Sequence, residues 1–137
     1  FENRVEEVGV TIHHPHGQLY AYSFVPHKIE TELRNCKKYY LKNGKNLFTE
    51  LNKAEKNYSK RVVCENDSFI AYIPYFTDYP FGVFIVSKKK IGNIIEFKQT
   101  DILDLAKMLK QITCAFDKIY HALNLCIFLR TYSGNGP

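Results

Sequence analysis

No C-x-x-C pair occurs in this sequence. Its four cysteines, Cys36, Cys64, Cys114 and Cys126, are dispersed, which excludes a local thiolate clip for zinc or for dithiol redox work. Cys36 and Cys114 fall on apolar stripes of predicted helices, where a free thiol behaves as a small hydrophobe, so reduced cysteines in a cytosolic protein are expected. Long apolar runs are lacking as well. None is longer than the run from Leu125 to Leu129, which is far short of the roughly 20 residues that a membrane helix needs. A charged-then-apolar leader is missing. The chain begins with Phe1 rather than Met, and a processed chain or a fragment is expected, whose missing start could carry a targeting signal. There is no internal repeat, linker or low-complexity segment. Basic tracts are also scarce. The net charge is +5 and the pI about 9.0, which favours anionic partners without choosing among them. The tightest runs are only Lys37-Lys38 and Lys88-Lys89-Lys90, so the lysines read as solvated faces and not as a nucleic-acid tract.

What is present suits a folded domain. A chain of 137 residues, 45% hydrophobic and 24% charged, can bury one real core and is too short for two ordinary ones. Residues 8–12 are β-branched and alternate weakly, which predicts a strand. Residues 19–25 alternate small with aromatic side chains and predict a second stretch of strand, ended by Pro26. Pro15 cannot donate to a ladder and marks an edge or irregular point between them. From His27 the period becomes helical, through Ile29, Leu33, Cys36 and Tyr40, until Asn43-Gly44 stops the helix. A second helix follows, with Asn46 as N-cap and Leu47, Leu51, Ala54 and Tyr58 as its stripe. Both helices are polar elsewhere and belong on the surface.

Short strands are predicted over 61–65 and 69–73, joined by the turn pair Asn66-Asp67. An aromatic loop runs over 75–79, where packing is a better reading than base stacking. A strand follows over 81–87, and 91–97 reads as a short strand or loop. Thr100 is a good N-cap for the longest helix, which runs to about Ala122 with Leu105, Leu109, Ile112, Phe116, Ile119 and Leu123 at helical spacing. Residues 125–130 predict a last strand, and 133–137 a tail. His27 and His121 read as surface helix residues. Strands in runs separated by helices give an α+β fold, with a mostly antiparallel sheet, the long helix across it and two surface helices.

The chemistry concentrates in Gly9-Val-Thr-Ile-His-His-Pro-His-Gly-Gln18. In an extended segment His14, His16 and Gln18 share one face, with alternate Cα atoms about 6–7 Å apart. Imidazole, with a reference pKa near 6.5, attacks phosphorus and leaves it readily, which suits covalent transfer. Phosphoryl transfer asks chiefly for donors around the phosphate oxygens. The Gln18 amide, the Thr11 hydroxyl and the Gly17 backbone N–H can supply them, and Gly17 lets the backbone approach closely. Imidazole is equally a zinc ligand, so chemistry alone does not divide His14 and His16 into nucleophile and ligand.

The segment resembles a known family. Phe1-Glu-Asn3, followed by Gly9-x-Thr11-x-His-His-Pro-His-Gly-Gln18, looks like the active-site segment of the galactose-1-phosphate uridylyltransferases, members of the histidine triad superfamily. The similarity continues through Arg61-Val-Val-Cys-Glu-Asn66, Pro74-Tyr-Phe-Thr-Asp-Tyr-Pro-Phe81 and the helix at 105–120. The resemblance implies a histidine-triad-like fold. It implies exchange of UDP-glucose and galactose 1-phosphate for glucose 1-phosphate and UDP-galactose, a step of galactose metabolism, by ping-pong through a uridylylated histidine. His16 then matches the nucleophile and His14 a ligand of a structural zinc. Gln18 matches the residue that binds the transferred phosphate, Asn3 a nucleotide-contacting asparagine, and Thr11 a hydroxyl donor to phosphate. Glu32 matches a carboxylate of a second metal site in some members. UDP-hexose and hexose 1-phosphate are the implied partners, with a cytoplasmic homodimer as the full-length form and neither nucleic acid nor membrane.

There are departures from the pattern. The family chain is a tandem of two histidine-triad-like halves, and this chain resembles the start of the second half with its entry segment. The remaining zinc ligands come from the first half, and the histidine expected before an Ala-Pro near 133–137 is replaced by Ser-Gly-Asn-Gly-Pro. Zinc retention by this chain alone is therefore not expected, nor is turnover, and an uncovered sheet edge should make the isolated chain self-associate. Two rival functions stand beside the transferase: a nucleotide-binding module without turnover, and a histidine-triad hydrolase. Gln18 opposes the hydrolase, whose usual pattern places a further histidine there.

Overall fold

The computed structural model describes Glu2–Asn3, His16–Gly17 and residues 20–119. The predicted strand over 8–12, the strand over 125–130, the tail, and His121 lie outside the described residues. The chain forms two compact units, one comprising Tyr22–Lys90 and the other drawing on Phe1–Ala21 and Ile91–Gly134. Each is described by itself.

The Tyr22–Lys90 unit begins with two helices. Helix α1 spans His27–Asn43 and α2 spans Leu47–Tyr58. The turn between them is written in the sequence. Gly44 takes φ +65°, a left-handed conformation that glycine adopts without steric cost, and its N–H donates to the Tyr40 carbonyl at 2.7 Å. Two residues on, the Asn46 side chain accepts from the Thr49 N–H at 3.1 Å, satisfying one of the open donors of the new helix. α2 ends at Ser59, in the left-handed region at φ 59°.

A three-stranded antiparallel sheet follows, made of β3 (Val62–Glu65), β4 (Phe69–Tyr72) and β5 (Phe84–Ser87) in that spatial order. Asn66 turns the β3–β4 hairpin by accepting from the N–H groups of Ser68 at 3.1 Å and Phe69 at 2.8 Å, the side-chain mimic of a backbone turn. A bulge separates Val62 from Cys64 on β3. On the other side, Phe69 to Tyr72 pair with Ser87 to Phe84. All four residues of the central strand are buried, and this strand is the centre of the unit's core. Polar links tie α2 to the sheet. The Tyr72 hydroxyl donates to Asn52 Oδ1 at 2.7 Å, and Lys56 reaches Glu65 at 2.6 Å.

The loop between β4 and β5 corrects the strand predicted from residue 81. Phe81 has φ 59°, a conformation foreign to strands, and the Gly82 N–H donates back to the Tyr79 carbonyl at 3.1 Å. A Cβ on Gly82 would land against Thr77 Oγ1 and 3.2 Å from the Tyr79 carbonyl oxygen, so only glycine closes this turn without a shift. Tyr75 is 84% and Tyr79 69% exposed, so neither is packed in a core, whereas Phe76 sets its ring edge-on to Phe84 with centroids 5.7 Å apart.

In the second unit, β1 (Glu2–Asn3) pairs antiparallel with β2 (His16–Gly17), and helix α3 spans Gln99–Ile119. α3 buries Asp101, Met108 and Ile112, a stripe at helical spacing. Its start differs from the predicted Thr100 cap. The helix begins at Gln99, and Asp101 reaches back to accept from the Lys98 N–H at 3.1 Å, the return half of a capping box. Cys114 is exposed rather than on the buried stripe. Two further predictions are corrected. Residues 20–25 form no strand: Tyr20, Tyr22, Phe24 and Val25 are all more than half exposed, and alternation yields a strand only where a ladder partner and a packed face exist. Residues 91–97 hold a 3₁₀ turn over Ile94–Glu96, because the Asn93 side chain accepts from the Ile95 N–H at 2.9 Å and donates to Glu96 at 2.7 Å.

Candidate active site

Two separate stretches of sequence carry the family resemblance, and the backbone joins them. In the β1–β2 pair, Asn3 stands directly opposite His16 and Glu2 opposite Gly17. Directly opposed residues of an antiparallel pair have Cα atoms about 4.5–5.5 Å apart. Glu2–Asn3 and His16–Gly17 are thereby brought to one place although twelve residues separate Asn3 from His16. Thr11, His14 and Gln18 lie outside the described residues.

Glu32 lies elsewhere in the chain, half-buried on α1. One turn on, Cys36 has its thiol pKa raised, first by burial and then by the negative charge of Glu32. Among the described residues no three of His, Cys, Asp or Glu stand together as a metal-holding group. No chemistry is derived through a second metal at Glu32. His27 is exposed at the start of α1, 3.9 Å from Glu30.

One polar constellation escaped the sequence reading. Glu55 is 3% exposed and accepts two hydrogen bonds from Arg61, from Nε at 2.9 Å and from a terminal nitrogen at 3.1 Å. The Glu55 hydrogen bonds raise the guanidinium pKa further, and the same guanidinium lies 4.3 Å from the Tyr58 ring centroid and 5.8 Å from that of Tyr75. This fork-to-fork pair with ring stacking is a geometry lysine cannot reproduce. It fixes the end of α2 against the start of β3 and one side of the aromatic loop. The sequence carried a signal for it. Glu55 interrupts the apolar stripe of Leu51 and Tyr58 at helical spacing, and a carboxylate on a buried stripe requires a cation.

The antiparallel sheet, its flanking helices and a histidine strand paired with the entry segment define an α+β protein of the histidine-triad type. The family model for "Galactose-1-phosphate uridyl transferase, C-terminal domain" matches residues 32–132, and the chain belongs to this family. It is 38% identical over 120 residues to the galactose-1-phosphate uridylyltransferase of Saccharomyces cerevisiae, covering 88% of this chain and 33% of that protein. The enzyme of the same name from Thermotoga maritima is 35% identical over 120 residues, covering 88% of this chain and 37% of its own length. A solved uridylyltransferase structure superposes with a TM-score of 0.81 at 28% identity, over 96% of this chain and 44% of that one. The chain thus spans about a third of the length of these curated relatives. No helix among the described residues is long and apolar enough to cross a membrane.

Proposed function

We propose that this chain carries the nucleophilic part of a nucleotidyltransferase that exchanges a uridylyl group between glucose 1-phosphate and galactose 1-phosphate. The observation that carries the reading is the pairing of Asn3 with His16 in a chain of this family. In the proposed reaction an imidazole nitrogen of His16 attacks the α-phosphorus of UDP-glucose. The bond to the bridging oxygen breaks, and glucose 1-phosphate leaves with that oxygen. Galactose 1-phosphate then attacks the uridylyl-histidine, giving UDP-galactose and free His16. Imidazole suits both displacements because it is a good nucleophile and a good leaving group at neutral pH.

Asn3 would hold the nucleotide beside His16. Thr11, the Gly17 N–H and Gln18 would donate to the phosphate oxygens, where charge must be held for the transfer. His14 would serve the structural zinc of the whole protein, and the active form would be a homodimer. Positioning supplies most of the rate in phosphoryl transfer, and the chain covers about a third of its curated relatives. The isolated chain should therefore turn over orders of magnitude more slowly than the complete protein.

The half-reaction tests the proposal. With UDP-glucose and no acceptor, the protein should release glucose 1-phosphate in one stoichiometric burst and then stop. His16→Gly should bind UDP-glucose and give no burst. Continuous release of UMP would indicate a hydrolase, and binding without release a module that lacks turnover.

A further inference from the structure

Charge is unevenly divided along the chain. The Tyr22–Lys90 unit holds 13 Lys and Arg against 7 Asp and Glu, a net +6, whereas residues 91–119 hold four of each. The excess gathers on α1. Arg34, Lys37, Lys38 and Leu41 follow one another at i, i+3, i+4 and i+7, so they share one face of the helix, with Lys42 at its border. All five are exposed, Leu41 to 71%. None of the four cations enters an ion pair among the described residues. Of the helix's two carboxylates, Glu32 lies on the opposite side, and Glu30, a turn before Arg34, faces His27.

This arrangement works against the helix that carries it. Arg34 with Lys37, Arg34 with Lys38, and Lys38 with Lys42 are like charges at neighbouring positions, which destabilise a helix. Leu41 adds exposed apolar surface at the middle of the group. Neither feature is explained by the stability of the unit, but both suit an association in which the cations are neutralised and the leucine is covered.

We propose that this face of α1 docks on another protein, at an acidic surface with an apolar recess that receives Leu41. An apolar centre ringed by polar groups is the anatomy of a protein interface, and unpaired cations steer an acidic partner into register. A bilayer fits less well, since an interfacial helix sinks a broad, open apolar face beside its basic one, whereas Ile29, Leu33 and Tyr40 on the adjoining side are each only about two-fifths exposed and Leu41 alone is mostly exposed. Single-stranded nucleic acid fits less well too, because successive bases need a series of stacking rings, and only Tyr40, partly exposed, borders this face.

The test uses the protein as its own gene encodes it and two synthetic probes: a glutamate homopeptide, and the same peptide with a central Phe-Phe pair. The Phe-Phe peptide should bind at least about tenfold more tightly, and Leu41→Ser should abolish that difference. Lys37→Glu with Lys38→Glu should abolish binding of both peptides while the melting temperature stays or rises, because like-charge repulsion has been removed. Lys37→Gln with Lys38→Gln provides a second variant should the double reversal not fold. Equal binding of the two peptides, unmoved by Leu41→Ser, would overturn the proposal, since it shows cation exchange alone. Tighter binding to phosphatidylserine vesicles or to oligothymidylate than to the Phe-Phe peptide would overturn it, as would a fall in melting temperature of both Lys37/Lys38 variants or no saturable binding.

Discussion

Helices α1 and α2 are neighbours of similar amphipathic pattern, yet they spend their polar groups differently. α2 turns them inward or to the sheet. Its Asn46 caps its own start, Asn52 takes the Tyr72 hydroxyl, Glu55 grips Arg61, and Lys56 reaches Glu65. α1 has no buried residue, and its N-cap, Pro26, makes no side-chain bond. Among the described residues, four of its cations meet no carboxylate. The difference teaches that amphipathic pattern marks a helix but not its duty. The partners of its polar side chains do that.

The largest expected effect comes from breaking the α2 side. Arg61→Ala leaves the buried Glu55 carboxylate without its cation, and uncompensated buried charge is among the costliest defects in a folded chain. Its thermal midpoint should fall further than that of any substitution on α1. Restoring a neutral environment with Glu55→Gln in the same protein should recover part of the loss. A melt of Arg61→Ala no lower than that of Lys38→Ala would erase the contrast between the helices.

Tyr72 provides the next effect. Burial, and then the nearby Glu55 charge, push its hydroxyl up to about 12. The folded state thus keeps a proton that the unfolded chain gives up near pH 10. This contribution is complete below pH 10 and disappears as pH rises through about 12, a loss on the order of 2–3 kcal/mol. Tyr72→Phe should show no such loss at high pH, at the cost of about 1 kcal/mol at neutral pH from the missing bond to Asn52. Denaturant melts across this range check both.

Capping sharpens the comparison further. Asn46→Ala should cost about 1 kcal/mol, whereas Pro26→Ala should cost little, because no cap bond is lost. The smallest effect is at Glu65, whose carboxyl is held below its ordinary pKa by hydrogen bonds from Lys56 and Lys88. Its contribution is present above the unfolded carboxylate pKa and is lost as pH falls through the lower folded one. Partly exposed pairs are weak, so Glu65→Gln should flatten the acid limb of a stability–pH curve by no more than about 1 kcal/mol.

Much of the fold was legible where punctuation and period agree. Gly44 and Asn46 mark the α1–α2 turn to the residue, and Asn66 marks the hairpin. Reading failed where partners decide. Residues 20–25 alternate like a strand but have no ladder, and Thr100 lost the cap to Asp101, which reaches back from inside the helix. The Glu55–Arg61 pair stayed hidden because a single carboxylate on a stripe does not name its cation. In the candidate site, the histidine segment was visible through its chemistry. Its register was not, since nothing in the spacing of Asn3 and His16 states that they face each other across a ladder.

The nucleophilic role of His16 is read out by the mass and location of the covalent adduct. The protein as its own gene encodes it is mixed with UDP-glucose, quenched under alkaline conditions and digested, and the peptide that contains His13, His14 and His16 is sequenced by fragmentation. The predicted result is one uridylyl group on His16, lost on brief acid treatment and lost on addition of galactose 1-phosphate as UDP-galactose appears. A uridylyl group on His14 or His13, or UDP-galactose formation with no uridylylated peptide at any time, would contradict the account.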